Sequence, residues 1–577
     1  MKANATAPAK RPSPAIATPS GASIGWLLFG FAAMLPWLVP LHDEPWSTFH
    51  SGFAAALAAL PLAVVAVFAR RGRWQVDLLA ASFAAAALIP LLQAAFGQFI
   101  VPAEAPIIAL YLAGFALAAI VARRSEAVTP GRLCDALFGG LLAAALVSSA
   151  LALAQWLDFD GGVMLVALPS GGRPSANLGQ PNQLSTLLAW GLVALWWFHT
   201  HQRIGARLAL GAAAWLLLGI ACTQSRTGWL AVALLIAAAL LGHRRFGTTS
   251  QRGVFVALGA FFVLLVLAWP SLTALWVPQQ ASLSLDGQLS GGKRPAIWAL
   301  MLDGIRHHPW AGVGWNQGRL VQLELWPDHP PLHVTVQHAH NLVLDLLVWN
   351  GLPLGLLMVG GLVAWFVWQW RRATAPAEAL ILLALGVFVL HAMLELPHCE
   401  ATFLIPVALM MGALNARTSL PTLARVPRGV VAAAVLVLGS AVVLVGVEYS
   451  RIEADLHAYR FRQARIGNLV VPPPPEIHLL SALQTALVTL RIEPRAGMPA
   501  SELEALRKTL SRYPVDSGLL RYAHAAALNQ QAPAAQQALV LLCELHRQHR
   551  CDAAKAHWKE LGASHAEIAR IAFPATR

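Results

Sequence analysis

The polar stretch R-P-S-A-N-L-G-Q-P-N-Q-L, residues 173–184, lies between two hydrophobic runs that are each long enough to cross a bilayer. Hydrocarbon offers no hydrogen-bond partners to irregular backbone or to amide side chains. Such a segment is tolerated at the mouth of a membrane helix only where it is buried against protein or lines a wet cavity. We therefore interpret it as part of an active site.

The composition of the whole chain is that of a membrane protein with many spans. Of its 577 residues, 57% are hydrophobic and 12% are charged, and the mean hydropathy is +0.58. Soluble domains carry about 25% charged residues. The sequence predicts an all-α polytopic fold with about 13 transmembrane helices. The apolar runs begin near Ile24, Ser51, Asp77, Ala105, Leu133, Asn182, Leu208, Thr227, Val254, Asn341, Ala379, Ala401 and Gly429.

The basic residues predict the orientation of these spans. The net charge is +13, but it does not indicate a nucleic-acid partner, because the Lys and Arg residues before residue 447 fall almost entirely in alternate loops. Loops rich in these residues stay in the cytoplasm. We therefore expect a cytoplasmic amino terminus and, after an odd number of spans, a tail on the outer side. The exceptions in the opposite loops are Arg173, Arg226, Lys293, Arg294, Arg306 and Arg319.

The spans and loops divide the chain into five predicted regions. No cleavable signal peptide is evident at the start. In the tail, Cys543 and Cys551 could form a disulfide in an oxidising compartment or could be two unrelated buried thiols. The regions are a disordered cytoplasmic amino terminus (1–22), nine transmembrane helices with the polar motif at 173–188 (23–269), a large outer loop with a helix at 295–306 (270–340), four more transmembrane helices (341–447) and an α-helical outer tail (448–577).

The basic exceptions in the outer loops are candidate ligands for an anion. A guanidinium near hydrocarbon costs several kcal/mol, so Arg226 either snorkels to the interface or pairs with an anion. Lys293 and Arg294 lie in a Gly-flanked loop on the same side, which favours anion binding, and Arg173 is a weaker member of the set. Pyrophosphate is the natural anion, because its oxygens match the fork of Arg.

A histidine-rich run, H-V-T-V-Q-H-A-H-N, ends just before an apolar span. A neutral imidazole there can accept a proton from a hydroxyl. We expect His340 to act as this base, with His338 and Asn341 in support. A histidine metal site is an alternative reading, although no carboxylate or Cys lies at ligand spacing; plain surface solvation is another.

A third cluster, H-A-M-L-E-L-P-H-C-E, contains His391 and Glu395 four residues apart on one predicted helical face. Glu395 in an apolar run is costly unless it is paired. It could orient a histidine or an acceptor, or it could be a structural hydrogen-bond partner. The same two readings apply to Asp345, about one turn into its predicted span.

All three clusters fall on the outer side. The cytoplasmic loops show neither a phosphate-cradling Gly-rich loop nor an acidic metal site, as an enzyme with a cytoplasmic nucleotide donor would need. The donor should therefore be available at the outer face of the membrane.

At these residues the sequence resembles the bacterial protein O-oligosaccharyltransferases of the PglL type, which belong to the O-antigen ligase superfamily. A-N-L-G-Q-P-N-Q-L-S-T-L-L resembles the ligase box, and H-A-H-N-L-V-L-D-L-L-V-W-N-G-L-P-L-G resembles the outer-loop histidine motif. H-A-M-L-E-L-P-H-C-E-A-T-F-L-I-P resembles a segment of the protein-glycosylating branch. It departs from that branch at His398, Cys399 and Glu400, where aromatic residues are usual.

The resemblance implies a periplasmic active site in the bacterial inner membrane, facing the same side as the tail. The enzyme would move a glycan from undecaprenyl-pyrophosphate to a Ser or Thr hydroxyl of a periplasmic protein such as a pilin, in an inverting reaction without cofactor or metal. By motif, the essential histidine is His340 and the pyrophosphate-binding arginines are Arg226 and Arg294. The ligase box contributes Gln180, Pro181 and Asn182.

Two other functions remain open at this point. An O-antigen ligase or polymerase would use the same donor with a glycolipid acceptor. A transporter would place its sites near mid-bilayer on broken helices with inverted repeats, whereas the polar clusters here lie at one mouth and no such repeat is visible.

Overall fold

The fold is a bundle of apolar helices, seen in a computed structural model that describes residues 21–68, 72–159, 161–166, 172–248, 251–278, 292–467 and 473–574. The predicted amino-terminal region 1–22 falls almost wholly outside these ranges. Every predicted span coincides with a helix or a consecutive helix pair. The helices are Gly21–Met34, Phe49–Phe68, Leu78–Ala86 with Leu88–Ala95, Ala105–Val128, Arg132–Trp156, Pro181–Thr200, Ala206–Cys222, Arg226–Leu241, Arg252–Trp276, Leu342–Arg372, Pro376–Ala392, Ala401–Arg417 and Arg428–Gln463.

Their lengths and compositions are those of membrane-spanning helices. Within the described residues, seven helical segments are both long and apolar enough to cross a bilayer, and several shorter apolar helices accompany them. The chain is thus a polytopic membrane protein of mainly helical structure, as predicted. The number of about 13 spans stays a prediction.

The helix Pro181–Thr200 lies at the centre of the bundle. Its residues from Asn182 to Trp197 are buried on nearly every face, as is typical of a helix that is apolar all round. Trp190 packs on Trp37, with ring centroids 5.9 Å apart, and Trp37 packs edge-on against Phe403 at 5.0 Å. The ligase box at the start of this helix is therefore held by the main core.

A small sheet differs from the all-α prediction. Strand β1 (Trp74–Asp77) pairs antiparallel with strand β2 (Thr422–Val426). Both lie in short loops that the charge pattern assigns to the cytoplasm. Periodicity could not reveal them, because strands of four and five residues carry little pattern and these two are far apart in the sequence.

Buried ion pairs lie at the same end of the bundle. Asp77 is 2% exposed; it accepts hydrogen bonds from Arg123 Nη1 at 2.7 Å and from Asn415 Nδ2 at 3.0 Å. Arg417 pairs with Glu126 at 2.6 Å. Arg123 and Arg417, two of the basic residues from which the orientation is predicted, thus also form contacts between helices.

The described part of the large loop packs against the start of the Leu342–Arg372 helix. It forms the helices Arg294–His307, which confirms the helix predicted at 295–306, and Arg319–Leu325. Gly351 interrupts the longer helix with a φ of +71°. A side chain here would place its Cβ 2.5 Å from the carbonyl carbon of Trp310, so only glycine allows the loop to approach this closely.

The last apolar helix extends directly into the tail, and further helices follow it. That helix ends at Gln463, before the proline run at 472–475. The later helices share a core that includes Leu506, Leu539 and Trp558, and Cys543 and Cys551 form a disulfide. The tail helices are Ser481–Leu490, Ala500–Arg512, Asp516–Leu528, Ala532–Leu545, Gln548–Ser564 and Ala566–Ala569.

Buried polar contacts fasten the tail to the rest of the chain. Arg512 Nε pairs with Glu104 at 2.6 Å, and Tyr513 donates to the same carboxylate at 2.8 Å. Arg319 from the large loop donates to the carbonyl of Arg512, and burial together with the Arg512 charge lowers the pKa of Arg319 to about 10. The tail and the large loop therefore lie together over one end of the bundle.

We expect Asp77→Asn to lower the free energy of unfolding by about 3 to 5 kcal/mol, because it leaves the buried charge of Arg123 without its partner. Equilibrium unfolding in mixed detergent micelles measures this loss. Glu504→Gln is the control, since it removes a carboxylate from an exposed pair with Arg507 and should leave the midpoint unchanged. Equal midpoints for the wild type and Asp77→Asn would contradict the assignment.

Candidate active site

The ligase-box loop is held in place by Gln155, near the end of the Arg132–Trp156 helix. Its Oε1 accepts hydrogen bonds from the backbone N–H groups of Ser175 at 2.9 Å and Ala176 at 2.8 Å, and its Nε2 donates to the carbonyl of Ala176 at 3.0 Å. Sequence reasoning missed Gln155. The sequence signal that could have found it is a single amide side chain in the apolar last turn of this helix.

The box itself ends at the first turn of the Pro181–Thr200 helix. Gln180 is extended, and Pro181 occupies the first helical position, where its missing N–H is harmless. Asn182 is 7% exposed; its Nδ2 donates to Glu395 Oε1 at 2.8 Å, and its Oδ1 accepts from Ser225 Oγ at 2.7 Å. The box therefore reaches two other segments of the chain through one amide.

Glu395 is the common partner of the site. It lies in the loop between the Pro376–Ala392 and Ala401–Arg417 helices, with its side chain 7% exposed. His340 Nδ1 lies 2.8 Å from Oε2, and Arg294 Nη2 donates to Oε1. Gln180 Nε2 is at the limit of hydrogen-bond distance from Oε2, at 3.5 Å. Four segments that are distant in sequence thus meet at one carboxylate.

The partners of Glu395 keep it ionised. Burial by itself raises the pKa of this carboxyl, but the hydrogen bonds and charges of His340 and Arg294 outweigh burial and lower the pKa to about 2. An ionised carboxylate only accepts hydrogen bonds. The Nδ1 of His340 therefore donates its N–H to Glu395, and in the neutral form of the ring that does so Nε2 is an acceptor.

His340 has an unusual backbone conformation. Its φ is +53°, in the left-handed region that residues with a side chain rarely adopt. Such strain persists only where surrounding contacts fix it. Asn341 supplies two of these contacts: its Oδ1 caps the Leu342–Arg372 helix through Val343 N at 3.0 Å, and its Nδ2 donates to the carbonyl of Met393 at 3.1 Å.

A second buried cluster, made of Asp345, His398 and His338, lies next to the histidine segment. Asp345 is 1% exposed; it accepts from Ala339 N at 2.7 Å and pairs with His398 Nε2 at 3.0 Å. His338 lies farther away, 4.0 Å from the same carboxylate, and burial lowers its pKa to about 4. Through Ala339, Asp345 holds the backbone that presents His340.

Arg173, Arg226 and Arg294 lie near one another. Arg173 Nη1 donates to the carbonyl of Gln224 at 2.9 Å, and Arg226 begins the next helix, which Ser225 caps. Burial lowers the pKa of Arg173, and the positive charges of Arg226 and Arg294 lower it further. Three guanidinium groups therefore share a neighbourhood with Glu395.

Lys293 does not join this group. Its Nζ donates to the backbone carbonyls of Leu332 and His333. It is next to Arg294 in sequence. Lys293 precedes the Arg294–His307 helix, whereas Arg294 is the first residue of that helix, so the two side chains leave the backbone in different directions.

His391 is likewise separate from the Glu395 side chain. It is fully buried and its Nδ1 lies 3.0 Å from Thr186 Oγ1. The expected link between positions 391 and 395 is made by backbone, since Glu395 N donates to the carbonyl of His391 at 2.8 Å. The side-chain partner of His391 is thus the hydroxyl of Thr186.

Glu400 is a functional candidate that the sequence reasoning noted only as a departure from the family pattern. It occupies the residue position just before the Ala401–Arg417 helix, where its side chain does not cap the helix but accepts a hydrogen bond from Gln183 Nε2. Burial, assisted by the charge of Glu395, raises its pKa to about 8, so this carboxyl is mostly protonated at neutral pH.

Within the described residues, no three His, Cys, Asp or Glu side chains are placed to hold a metal ion.

The sequence of the chain is similar to those of known protein families and of two named relatives. The chain matches the family described as O-antigen ligase over residues 211–359, that described as protein glycosylation ligase over 174–199, and that described as virulence factor membrane-bound polymerase, C-terminal, over 379–560. It is similar to two proteins of Acinetobacter baylyi. The first, a general O-oligosaccharyltransferase, is 30% identical over 537 residues, covering 90% of this chain and 92% of the relative.

The second relative, a ComP-specific O-oligosaccharyltransferase, is 28% identical over 270 residues, covering 47% of this chain and 49% of the relative. The likeness to the first extends over nearly the full length of both proteins, and it includes the box, the histidine segment and the Glu395 segment. The chain therefore belongs to the PglL-type protein O-oligosaccharyltransferases of the O-antigen ligase superfamily, and it glycosylates proteins by transferring an oligosaccharide to them.

Proposed function

We propose that the donor is an undecaprenyl-pyrophosphate-linked glycan and that the acceptor is a Ser or Thr hydroxyl of a periplasmic protein such as type IV pilin. The reaction is inverting and needs no metal ion. The observation that carries this proposal is the convergence of Asn182, Arg294 and His340 on the carboxylate of Glu395. It brings a base and a cation together at one place.

His340 acts as the general base in this mechanism. Glu395 holds the Nδ1–H of the imidazole, so Nε2 accepts the proton of the acceptor hydroxyl. The hydroxyl oxygen forms a bond to the anomeric carbon from the face opposite the leaving group. The bond from that carbon to the phosphate oxygen breaks, and its electron pair leaves with the pyrophosphate. A single displacement of this kind inverts the anomeric configuration.

The arginines stabilise the leaving group. Arg173, Arg226 and Arg294 bring three positive charges to the neighbourhood of one ionised carboxylate. A diphosphate offers complementary negative charge and oxygens that fit the guanidinium fork. A preorganised donor aimed at developing negative charge contributes about 2.7 to 4 kcal/mol.

We also propose that the protein lies in the inner membrane with about 13 spans and the amino terminus in the cytoplasm. The site lies at the end of the bundle covered by the described parts of the large loop and the tail, and we assign these two regions, 270–340 and 448–577, to the periplasm. The opposite end carries the basic loops around Arg123 and Arg417, which the positive-inside rule assigns to the cytoplasm.

His340→Ala should lower glycan transfer by about 100- to 10,000-fold, the usual contribution of a general base, at an unchanged amount of protein in the membrane. Intact mass of a co-expressed acceptor protein, followed over time, measures the rate. His307→Ala is the control, because His307 is half exposed and lies 3.8 Å from its partner Glu324. A His340→Ala protein that keeps more than a tenth of the rate would exclude the base role.

Glu395→Gln should also lower kcat, by about 100-fold or more, because it no longer orients His340. When two residues act as a unit, the effects of substituting each of them on the rate do not add. The double variant with His340→Ala should therefore transfer glycan as fast as His340→Ala alone, whereas a purely structural role for Glu395 would make the double variant worse. Single-turnover rates on purified protein distinguish the two results.

Arg226→Gln and Arg294→Gln should each lower kcat by about 100- to 1,000-fold, the effect of one lost oxyanion donor. Lys293→Gln is the matched neighbour of Arg294→Gln and should change the rate less than about threefold, because its ammonium contacts loop carbonyls. Steady-state transfer with a purified lipid-linked donor measures all three. Equal losses for Lys293→Gln and Arg294→Gln would contradict the assignment of Arg294.

A further inference from the structure

A groove runs between two neighbouring apolar helices, Arg226–Leu241 and Arg252–Trp276. It encloses about 600 Å³. The first helix contributes one face to it, at intervals of three and four residues. We call it the 229–267 groove; its lining includes Trp229, Ala233, Ile236, Gly259, Phe262 and Val266.

The groove is open to the hydrocarbon of the membrane. Only 11% of the most apolar window of the Arg252–Trp276 helix is buried, so this helix lies at the edge of the bundle. Val263 and Leu267 on its wall are more than half exposed. An apolar chain in the bilayer can therefore enter the groove from the side.

One end of the groove lies next to the arginine cluster. Trp229 follows Arg226 by three residues, about 4.5 Å along the helix axis. The indole Nε1 of Trp229 is buried and has no hydrogen-bond partner among the described residues. A buried donor of this kind usually has a partner, and a phosphate oxygen held by Arg226 would supply one.

We propose that the 229–267 groove binds the first isoprene units of the donor's polyprenyl tail, with the diphosphate at Arg226 and Trp229. This inference rests on the proposed donor. The two parts of that lipid match the two parts of the surface: an anion at the positively charged helix start, and an apolar chain in the groove that leads away from it.

A second apolar cavity in the bundle fits this role less well. It encloses about 170 Å³ between the Phe49–Phe68, Ala105–Val128, Ala401–Arg417 and Arg428–Gln463 helices. None of the three arginines of the site lines it. It therefore provides a control of the same apolar character.

The test is to fill each cavity and compare donors of different tail length. Gly259→Leu extends a side chain into the groove, where its Cβ would lie 3.7 Å from Ile236, an ordinary contact. Gly114→Leu is the matched control in the second cavity, where no atom lies within 4 Å of the added Cβ. Both proteins are assayed with the same diphosphate-linked glycan on an undecaprenyl tail and on a tail of two isoprene units.

Gly259→Leu should raise KM for the undecaprenyl donor about tenfold, the effect of losing a few tens of Å² of apolar contact. It should leave KM for the short donor unchanged. Position 259 faces Ile236, which lies about 15 Å from Arg226 along the Arg226–Leu241 helix. A tail of two isoprene units ends before it reaches Ile236. Gly114→Leu should leave both KM values unchanged. Trp229→Phe, which keeps the ring and removes the N–H, should raise KM for both donors.

Other results would overturn the inference. Equal KM values for Gly259→Leu and the wild type with the undecaprenyl donor would remove the groove from donor binding, and so would an equal rise in Gly114→Leu. Ala233→Phe, at an exposed position on the facing wall, repeats the test if Gly259→Leu does not accumulate. A wild-type protein that uses neither diphosphate donor would instead overturn the proposed function itself.

Discussion

A carboxylate buried among apolar helices is unfavourable unless several donors surround it, and this condition governs the arrangement around Glu395. The amide of Asn182, the imidazole of His340 and the guanidinium of Arg294 all direct N–H groups at its two oxygens. Loss of any one donor leaves the charge less compensated. The contact that orients the proposed base is thus the same contact that makes the carboxylate tolerable in the core.

The surroundings of this carboxylate are densely hydrogen-bonded. Gln155 binds the backbone of the box loop, Asn341 caps one helix and reaches the loop of another, and Asp345 holds the backbone before His340. Functional groups are precise when a supporting layer of packed and hydrogen-bonded residues limits their movement. Here most of that layer is made of side-chain amides and carboxylates that bind backbone, so the loops of the site have few alternative conformations.

The two ends of the bundle use polar groups for different purposes. At the end opposite the site, Asp77, Arg123 and Asn415 satisfy one another and join helices to the small sheet. At the site end, burial lowers the pKa of Arg173, and the charges of the neighbouring Arg226 and Arg294 lower it further. Mutual satisfaction is typical of a structural network, whereas crowding of like charges is typical of a site that receives an anion.

The sequence by itself determined the helical membrane fold, the helix predicted in the large loop and the family, because hydrophobic runs and short motifs are local properties of the chain. It also predicted candidate residues for the site. Only the tertiary structure decided which of them meet: Arg294 reaches Glu395 while Lys293 beside it binds loop carbonyls, and His391 pairs with Thr186. Gln155, Glu400 and the strand pair were missed for the same physical reason. Their partners are distant in sequence, and such contacts are set by how the helices pack, which no local pattern records.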